Sequence, residues 1–180
     1  MRGIVSYGAY LPYWRLERKA IAEALGTPAG GGTRAVASYD EDTTSLGVEA
    51  ARTALRGAAI VPQALYFATS DPAYLDKTNA TAIHAALDLP TSAFAADMVG
   101  SVRSAVGAMR AARDAPAPAL VVLSDIRTGL PGGTDERDGG DGAAAFLFAD
   151  DAPDARVLAE PLGAASATAL EVEDGHDHRG

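Results

Sequence analysis

The 180-residue sequence contains no cysteine. That absence excludes disulfides, thiolate zinc sites, iron–sulfur clusters and a cysteine nucleophile. Positive charge is also scarce: 15 Lys and Arg stand against 24 Asp and Glu, a net charge of −9 with a pI near 4.7. Electrostatics therefore disfavours nucleic-acid backbones and anionic membranes as partners. No stretch approaches the roughly 18–20 apolar residues needed to cross a bilayer. The opening MRGIVSY lacks the long apolar core of a signal peptide. These absences point to a soluble, cytoplasmic protein without a membrane span. Lysine is nearly missing too, with arginine ahead 13 to 2, but the bias is confined to no segment and reads as genomic. What is present is ordinary for a globular chain: 48% hydrophobic and 22% charged residues, at a length that suits one domain with a real core.

Short apolar runs alternate with helical segments. Residues 3–10 read as a first strand, closed by Leu11-Pro12. Residues 16–25 favour helix and stop at Gly26, followed by the flexible loop TPAGGG at 27–32. Asp42-Thr43-Thr44 offers N-cap chemistry before a helix over 44–55, whose small apolar face (Leu46, Ala50, Ala54) suits close packing on a sheet. Strands follow at 64–68, 92–96, 119–123 and 143–148, and helices at 78–87 and 101–113. The run ALVVL at 119–123 is apolar throughout, as expected of a strand buried on both faces. Residues 156–160 and 168–172 read as two last strands. The alternation predicts βαβ units and a largely parallel sheet. The polar, glycine-rich segment 125–142 is the longest irregular stretch, of a kind usually functional or mobile.

Several constellations invite chemistry, and each has a plain structural alternative. Gly100-Ser101 stands at a strand-to-helix junction, where a helix dipole favours a developing anion and nucleophiles are activated; the pair equally starts and caps a helix. The glycines of DGGDG at 138–142 permit positive φ and close approach to a ligand, or simply make a turn. Asp135, Glu136, Asp138 and Asp141 lack the spacing of a calcium loop and read as a solvated cluster, so no metal site is expected. His176-Asp177-His178 lies in the last five residues and reads as a frayed terminus. His84 falls within a helix and reads as structural. No phosphate-loop or dinucleotide glycine fingerprint is present, which argues against a nucleotide-binding domain.

GIVSYGAYLPYWRL at 3–16, SYDEDTTSLGVEAARTAL at 38–55, AADMVGSVRSAVGAMRAA at 95–112 and SDIRTGLPGGTDERDGGDGAAAFLF at 124–148 together resemble the thiolase superfamily. The likeness is to its hydroxymethylglutaryl-CoA synthase-like and ketoacyl synthase III-like condensing proteins. The resemblance implies an α/β, thiolase-like fold, with residues 1–180 forming one βαβαβ-type half of a five-layer αβαβα architecture. The C-terminal half is absent from this chain, so the fragment should expose apolar helix and sheet surface. The same resemblance implies a coenzyme A thioester as substrate and no covalently bound cofactor. It implies as partner a C-terminal thiolase-like half or a separate chain, in a homo- or hetero-dimer.

Family members carry a catalytic cysteine at the start of the central buried helix, and the matching position here is Ser101. The synthase's acidic general base falls near Ser70, placed by a match at Lys77, with Asp71 as the neighbouring substitute. The resemblance puts Arg34, Gly100, Gly140, Asp141 and Gly142 at the substrate, with Arg34 and Arg15 as candidates for coenzyme A phosphates. A serine needs a base to replace a thiol, and the family's histidine belongs to the second half. The resemblance thus implies an acyl-CoA-handling, Claisen-type acyltransferase with Ser in place of Cys. The alternative is a non-catalytic thiolase-like scaffold or partner subunit of an acyl-CoA-processing complex.

Overall fold

A computed structural model describes residues 1–28, 30–153, 155–161 and 165. In chain order the elements are β1 (Arg2–Tyr10), β2 (Trp14–Glu17), α1 (Arg18–Leu25), β3 (Thr33–Val36), α2 (Thr43–Arg56) and β4 (Ala64–Thr69). They continue with α3 (Asn79–Ala86), β5 (Phe94–Val99), α4 (Ser104–Asp114), β6 (Ala119–Asp125), α5 (Thr134–Asp138) and β7 (Gly142–Asp150). Five strands form one sheet in the order β1-β7-β6-β4-β5, and β2 pairs with β3 apart from it.

The expected parallel sheet is mixed. β4 runs parallel to β5 and to β6, but β7 is antiparallel to both β6 and β1. The reason lies in the connections. A parallel return needs a crossover that spans the sheet, and only the five-residue α5 stands between β6 and β7. Pairing also moves element ends. Residues 16 and 17, expected in a helix, belong to β2 and face β3 in the register Leu16↔Arg34 and Glu17↔Thr33. Alignment with β4 carries β5 to Val99. The expected strand at 156–160 is only an isolated bridge, Ile4↔Ala159. The strand expected at 168–172 and the histidines at 176 and 178 lie outside the described residues.

Apolar side chains pack against both faces of the sheet. Leu120 and Val122 of β6 join Leu65, Phe67 and Leu147 in a core beneath α2, whose Leu46, Ala50, Ala51 and Ala54 are fully buried. Ala119 and Val121 alternate to the other side, where Ala68 and Phe148 meet Ala108 and Ala112 of α4. The apolar run at 119–123 of β6 therefore has its expected explanation. Asp42 caps α2: its Oδ1 accepts the Ser45 amide at 2.6 Å while Ser45 Oγ accepts the Asp42 amide at 2.8 Å. Gly8 of β1 lets α2 sit directly on the sheet, because a Cβ there would strike the Ala50 carbonyl and the Ala54 amide. The second face is only partly covered. Val102 and Val106 are exposed, and an apolar groove of about 270 Å³ runs between α4 and Phe148. Among the described residues, no helix is long and apolar enough to cross a membrane.

The end of β1 is tied to the segment before α2 through Glu41. Its Oε1 accepts the Tyr10 hydroxyl and its Oε2 the Ser38 amide at 2.6 Å. Partial burial pushes the Glu41 carboxyl up, but the hydrogen bonds from Ser38 and Tyr10 outweigh it and hold the pKa below its ordinary value. The Tyr10 hydroxyl is pushed up, first by the same hydrogen bond. A carboxyl whose folded pKa is depressed contributes stability that is present above its unfolded value, near pH 4–5, and is lost as pH falls through the folded value. The melting temperature is therefore expected to drop more steeply below about pH 5 in the wild type than in Glu41→Gln. Equal acid slopes in the two proteins would refute this assignment.

Candidate active site

Three neighbouring strands end together. β4 and β6 are parallel and in register through Ala68↔Leu123, and β4 and β5 through Thr69↔Val99. The residues that follow these pairs are Ser70, Asp125 and the Gly100–Ser101 turn. Carboxyl ends of parallel strands are the usual place for a ligand in an open α/β sheet. The alternation that sends Ala68 and Val121 towards α4 sends Ser70 and Asp125 to the same side. Gly100 has φ +110°, a conformation that a side-chain-bearing residue rarely adopts, and it turns the chain from β5 towards α4.

The helix was expected from residue 101 and begins at Ser104 instead. Residues 101–103 form a tight turn, with the Ser104 amide bonded to the Ser101 carbonyl at 3.0 Å and the Ala105 amide to the Val102 carbonyl at 3.2 Å. Ser101 is exposed ahead of the helix, and its hydroxyl makes no hydrogen bond among the described residues. It lines a cavity of about 50 Å³ together with Ser70, Asp125, Ala68, Val102 and Leu123. That volume takes a few water-sized groups, enough for a reacting carbonyl but not for an acyl chain. A second, open and polar cavity of about 290 Å³ lies beside it, lined by Ser70, Asp71, Ile126, Arg127, Thr128 and Asp135. Ser70 borders both cavities; Asp71 borders only the second.

Asp125 is the residue that sequence reasoning missed. Its Oδ1 accepts the Ser70 amide at 2.7 Å, the Ser70 hydroxyl at 2.8 Å and the Thr69 hydroxyl at 3.1 Å. The position expected to carry an acidic base is Ser70, and the carboxylate beside it comes from β6. Arg127 places Nη1 3.3 Å from Ser70 Oγ and pairs with Asp135 at 2.5 Å. The Arg127 pKa is raised, first by the Asp135 hydrogen bond and then by the charges of Asp135 and Asp125, with partial burial opposing. Asp71 is held by its backbone: its amide donates to Thr69 Oγ1 at 3.0 Å and its carbonyl accepts from Thr43 Oγ1 at 2.8 Å.

The other expected substrate residues lie elsewhere. Arg34 is 7% exposed. Its guanidinium meets the Glu136 carbonyl at 2.8 Å, the Arg127 carbonyl at 2.8 Å, the Asp135 carbonyl at 3.3 Å and Asp141 Oδ1 at 3.2 Å. It braces the 127–141 segment from within, and lines neither site cavity. Asp141 is buried too and also accepts the Ala37 amide at 2.8 Å and the Arg127 amide at 2.9 Å. Gly140 and Gly142 line neither cavity and do not adopt positive φ. Of the glycines at 139, 140 and 142 the tightly held one is Gly139, where a Cβ would collide with the Asp135 carbonyl. Arg15 folds back onto the carbonyls of Pro12, Tyr13 and Trp14. His84 meets the Pro90 carbonyl at 3.0 Å, away from both cavities. Among the described residues no group of His, Asp and Glu could hold a metal ion.

No family model matches the chain. Curated proteins do. The hydroxymethylglutaryl-CoA synthase of Pyrococcus furiosus is 34% identical over 157 residues, covering 82% of this chain and 45% of that protein. The synthase of the same name from Aeropyrum pernix is 35% identical over 160 residues, covering 81% and 44%. The chain thus spans about half the length of the curated relatives it matches. Among solved structures, the priming β-ketosynthase of the R1128 polyketide pathway superposes with a TM-score of 0.76 at 22% identity, over 84% of this chain and 50% of that one. A hydroxymethylglutaryl-CoA synthase complexed with CoA gives 0.75 at 24% identity, over 83% and 42%. The 3-oxoacyl-(acyl carrier protein) synthase III of Pseudomonas aeruginosa gives 0.73 at 25% identity, over 84% and 51%.

Proposed function

We propose, for a chain that is a thiolase-like protein of the hydroxymethylglutaryl-CoA synthase-like and ketoacyl synthase III-like kind, that it forms the N-terminal half of an acyl-CoA condensing unit. Its substrate is a coenzyme A thioester, and Ser101 stands where the acyl group is carried. The observation that supports this most is the meeting of Ser101, Ser70 and Asp125 around one small cavity at the ends of β4, β5 and β6. In this reading the thioester carbonyl enters that cavity and Ser101 Oγ attacks it. The acyl group passes to the serine and coenzyme A leaves as its thiol. A serine hydroxyl ionises far less readily than a cysteine thiol, so Ser101 requires a base; in this reading a second thiolase-like half supplies it while covering the apolar groove along α4. A homo- or hetero-dimer is the assembly proposed.

The test is intact-protein mass spectrometry after incubation with a panel of short acyl-CoA thioesters. An added acyl mass that maps to Ser101, and a Ser101→Ala variant that lacks the Ser101 adduct, are the expected results. The second reading is a non-catalytic subunit that binds acyl-CoA or steadies a partner. The absence of cysteine and the apolar face of α4 favour it. Coenzyme A binding without any adduct would select it over the first.

A further inference from the structure

The geometry assigns Ser70, paired with Asp125, as a second acyl-accepting hydroxyl in this site. The assignment rests on the reading that the site takes acyl thioesters. Three serines line the inner cavity; Ser124 is buried with its hydroxyl unpartnered among the described residues, and the other two differ in surroundings. Ser101 Oγ has no hydrogen-bond partner among the described residues, whereas Ser70 Oγ donates to Asp125 Oδ1 at 2.8 Å. The Ser70 amide and Thr69 Oγ1 hold the same carboxylate oxygen at 2.7 and 3.1 Å. The carboxylate is thereby fixed across two hydrogen-bonded strands before any substrate arrives. Such a hydroxyl with its proton acceptor already in contact is the arrangement that activates an oxygen nucleophile.

Two further features fit. Arg127 Nη1, at 3.3 Å from the same oxygen, favours the alkoxide character that this oxygen gains as its proton leaves. Ser70 is also the residue common to both cavities, so a thioester reaching inward from the open polar cavity meets it on the way to Ser101. The step balances within the site. Ser70 Oγ bonds to the thioester carbonyl carbon as its proton moves to Asp125. The tetrahedral intermediate then collapses with cleavage of the C–S bond, and Asp125 returns the proton to the departing sulfur. The products are a Ser70 acyl ester and free coenzyme A thiol.

The experiment uses the full chain as wild type, Ser101→Ala, Ser70→Ala and Asp125→Asn. Each is incubated with acetyl-CoA, and the adduct is mapped by peptide mass spectrometry alongside release of free thiol. Binding of coenzyme A by calorimetry and thermal melting show that each variant is folded and competent to bind. Ser101→Ala is expected still to gain an acetyl mass, on Ser70, and Ser70→Ala to lose that adduct. Asp125→Asn keeps an oxygen for the Ser70 amide, and is expected to slow Ser70 labelling at least tenfold at saturating acetyl-CoA. An adduct confined to Ser101, and absent from Ser101→Ala, overturns the Ser70 assignment and leaves the thioester reading standing. No adduct on either serine, with coenzyme A still bound, overturns the assignment together with the covalent form of that reading.

Discussion

Arg34→Met is expected to lower the free energy of unfolding by about 3–5 kcal/mol, the cost of breaking a buried ion pair from one side. Side-chain exposures of 7% for Arg34 and 3% for Asp141 put both charges out of water. Methionine fills most of the space but leaves the Asp141 carboxylate without its cation and the carbonyls of Arg127 and Glu136 without their Arg34 donor, while the Asp135 carbonyl loses Arg34 and keeps the Gly139 amide. Those carbonyls belong to the segment that carries Arg127 to Ser70, so the loss should reach the site. Thermal or denaturant unfolding measures the first effect; if the proposed thioester reading holds, weaker coenzyme A binding by calorimetry measures the second. A variant as stable as the wild type would show that the buried pair contributes nothing net.

Asp97→Ala is expected to cost about 3 kcal/mol, from hydrogen bonds to a charged acceptor that are lost together with a helix cap. Asp97 Oδ1 accepts the Ala80 amide at 2.6 Å, and Oδ2 accepts the Asn79 amide at 2.7 Å and Asn79 Nδ2 at 3.0 Å. Asn79, only 1% exposed, in turn holds Tyr74 by both its amide and its carbonyl at 2.9 Å. One carboxylate thus anchors the start of α3, the loop that follows Ser70, and the strand that leads to Ser101. Asp97→Asn retains one acceptor oxygen and should fall between wild type and alanine in a denaturant titration. If alanine and asparagine lose equal stability, the carboxylate's charge is not what holds this junction.

Local signals in the sequence were legible where local sterics decide the outcome. Gly26 does end α1 in the left-handed conformation, with φ 63°. Asp42 does cap α2, three positions before the serine that returns its hydrogen bond. The small face of α2 and the apolar run of β6 both indicated close packing, and both are buried as such. Helix and strand ends were less legible: residues 16 and 17 sit in a strand because β3 pairs with them, against their own helical leaning.

The candidate site was half legible. The turn at Gly100–Ser101 follows from a glycine between a strand and a helix, and Ser70 was placed by resemblance. Asp125 could not be found this way. It meets Ser70 across 55 positions of chain, and only the strand order sets them side by side. Arg34 and Asp141, 107 positions apart, looked like open ligands because nothing local marks an arginine as buried.

The sequence alone settled which chemistry is excluded, since a chain without cysteine has no thiolate, and it settled the alternation of strands and helices, since periodicity and end signals act within a few residues. The tertiary structure decided the antiparallel return of β7, the burial of the Arg34–Asp141 pair and the carboxylate that Ser70 meets. Each of these depends on which strands lie next to one another, and strand order arises from long-range packing that no short window of sequence contains.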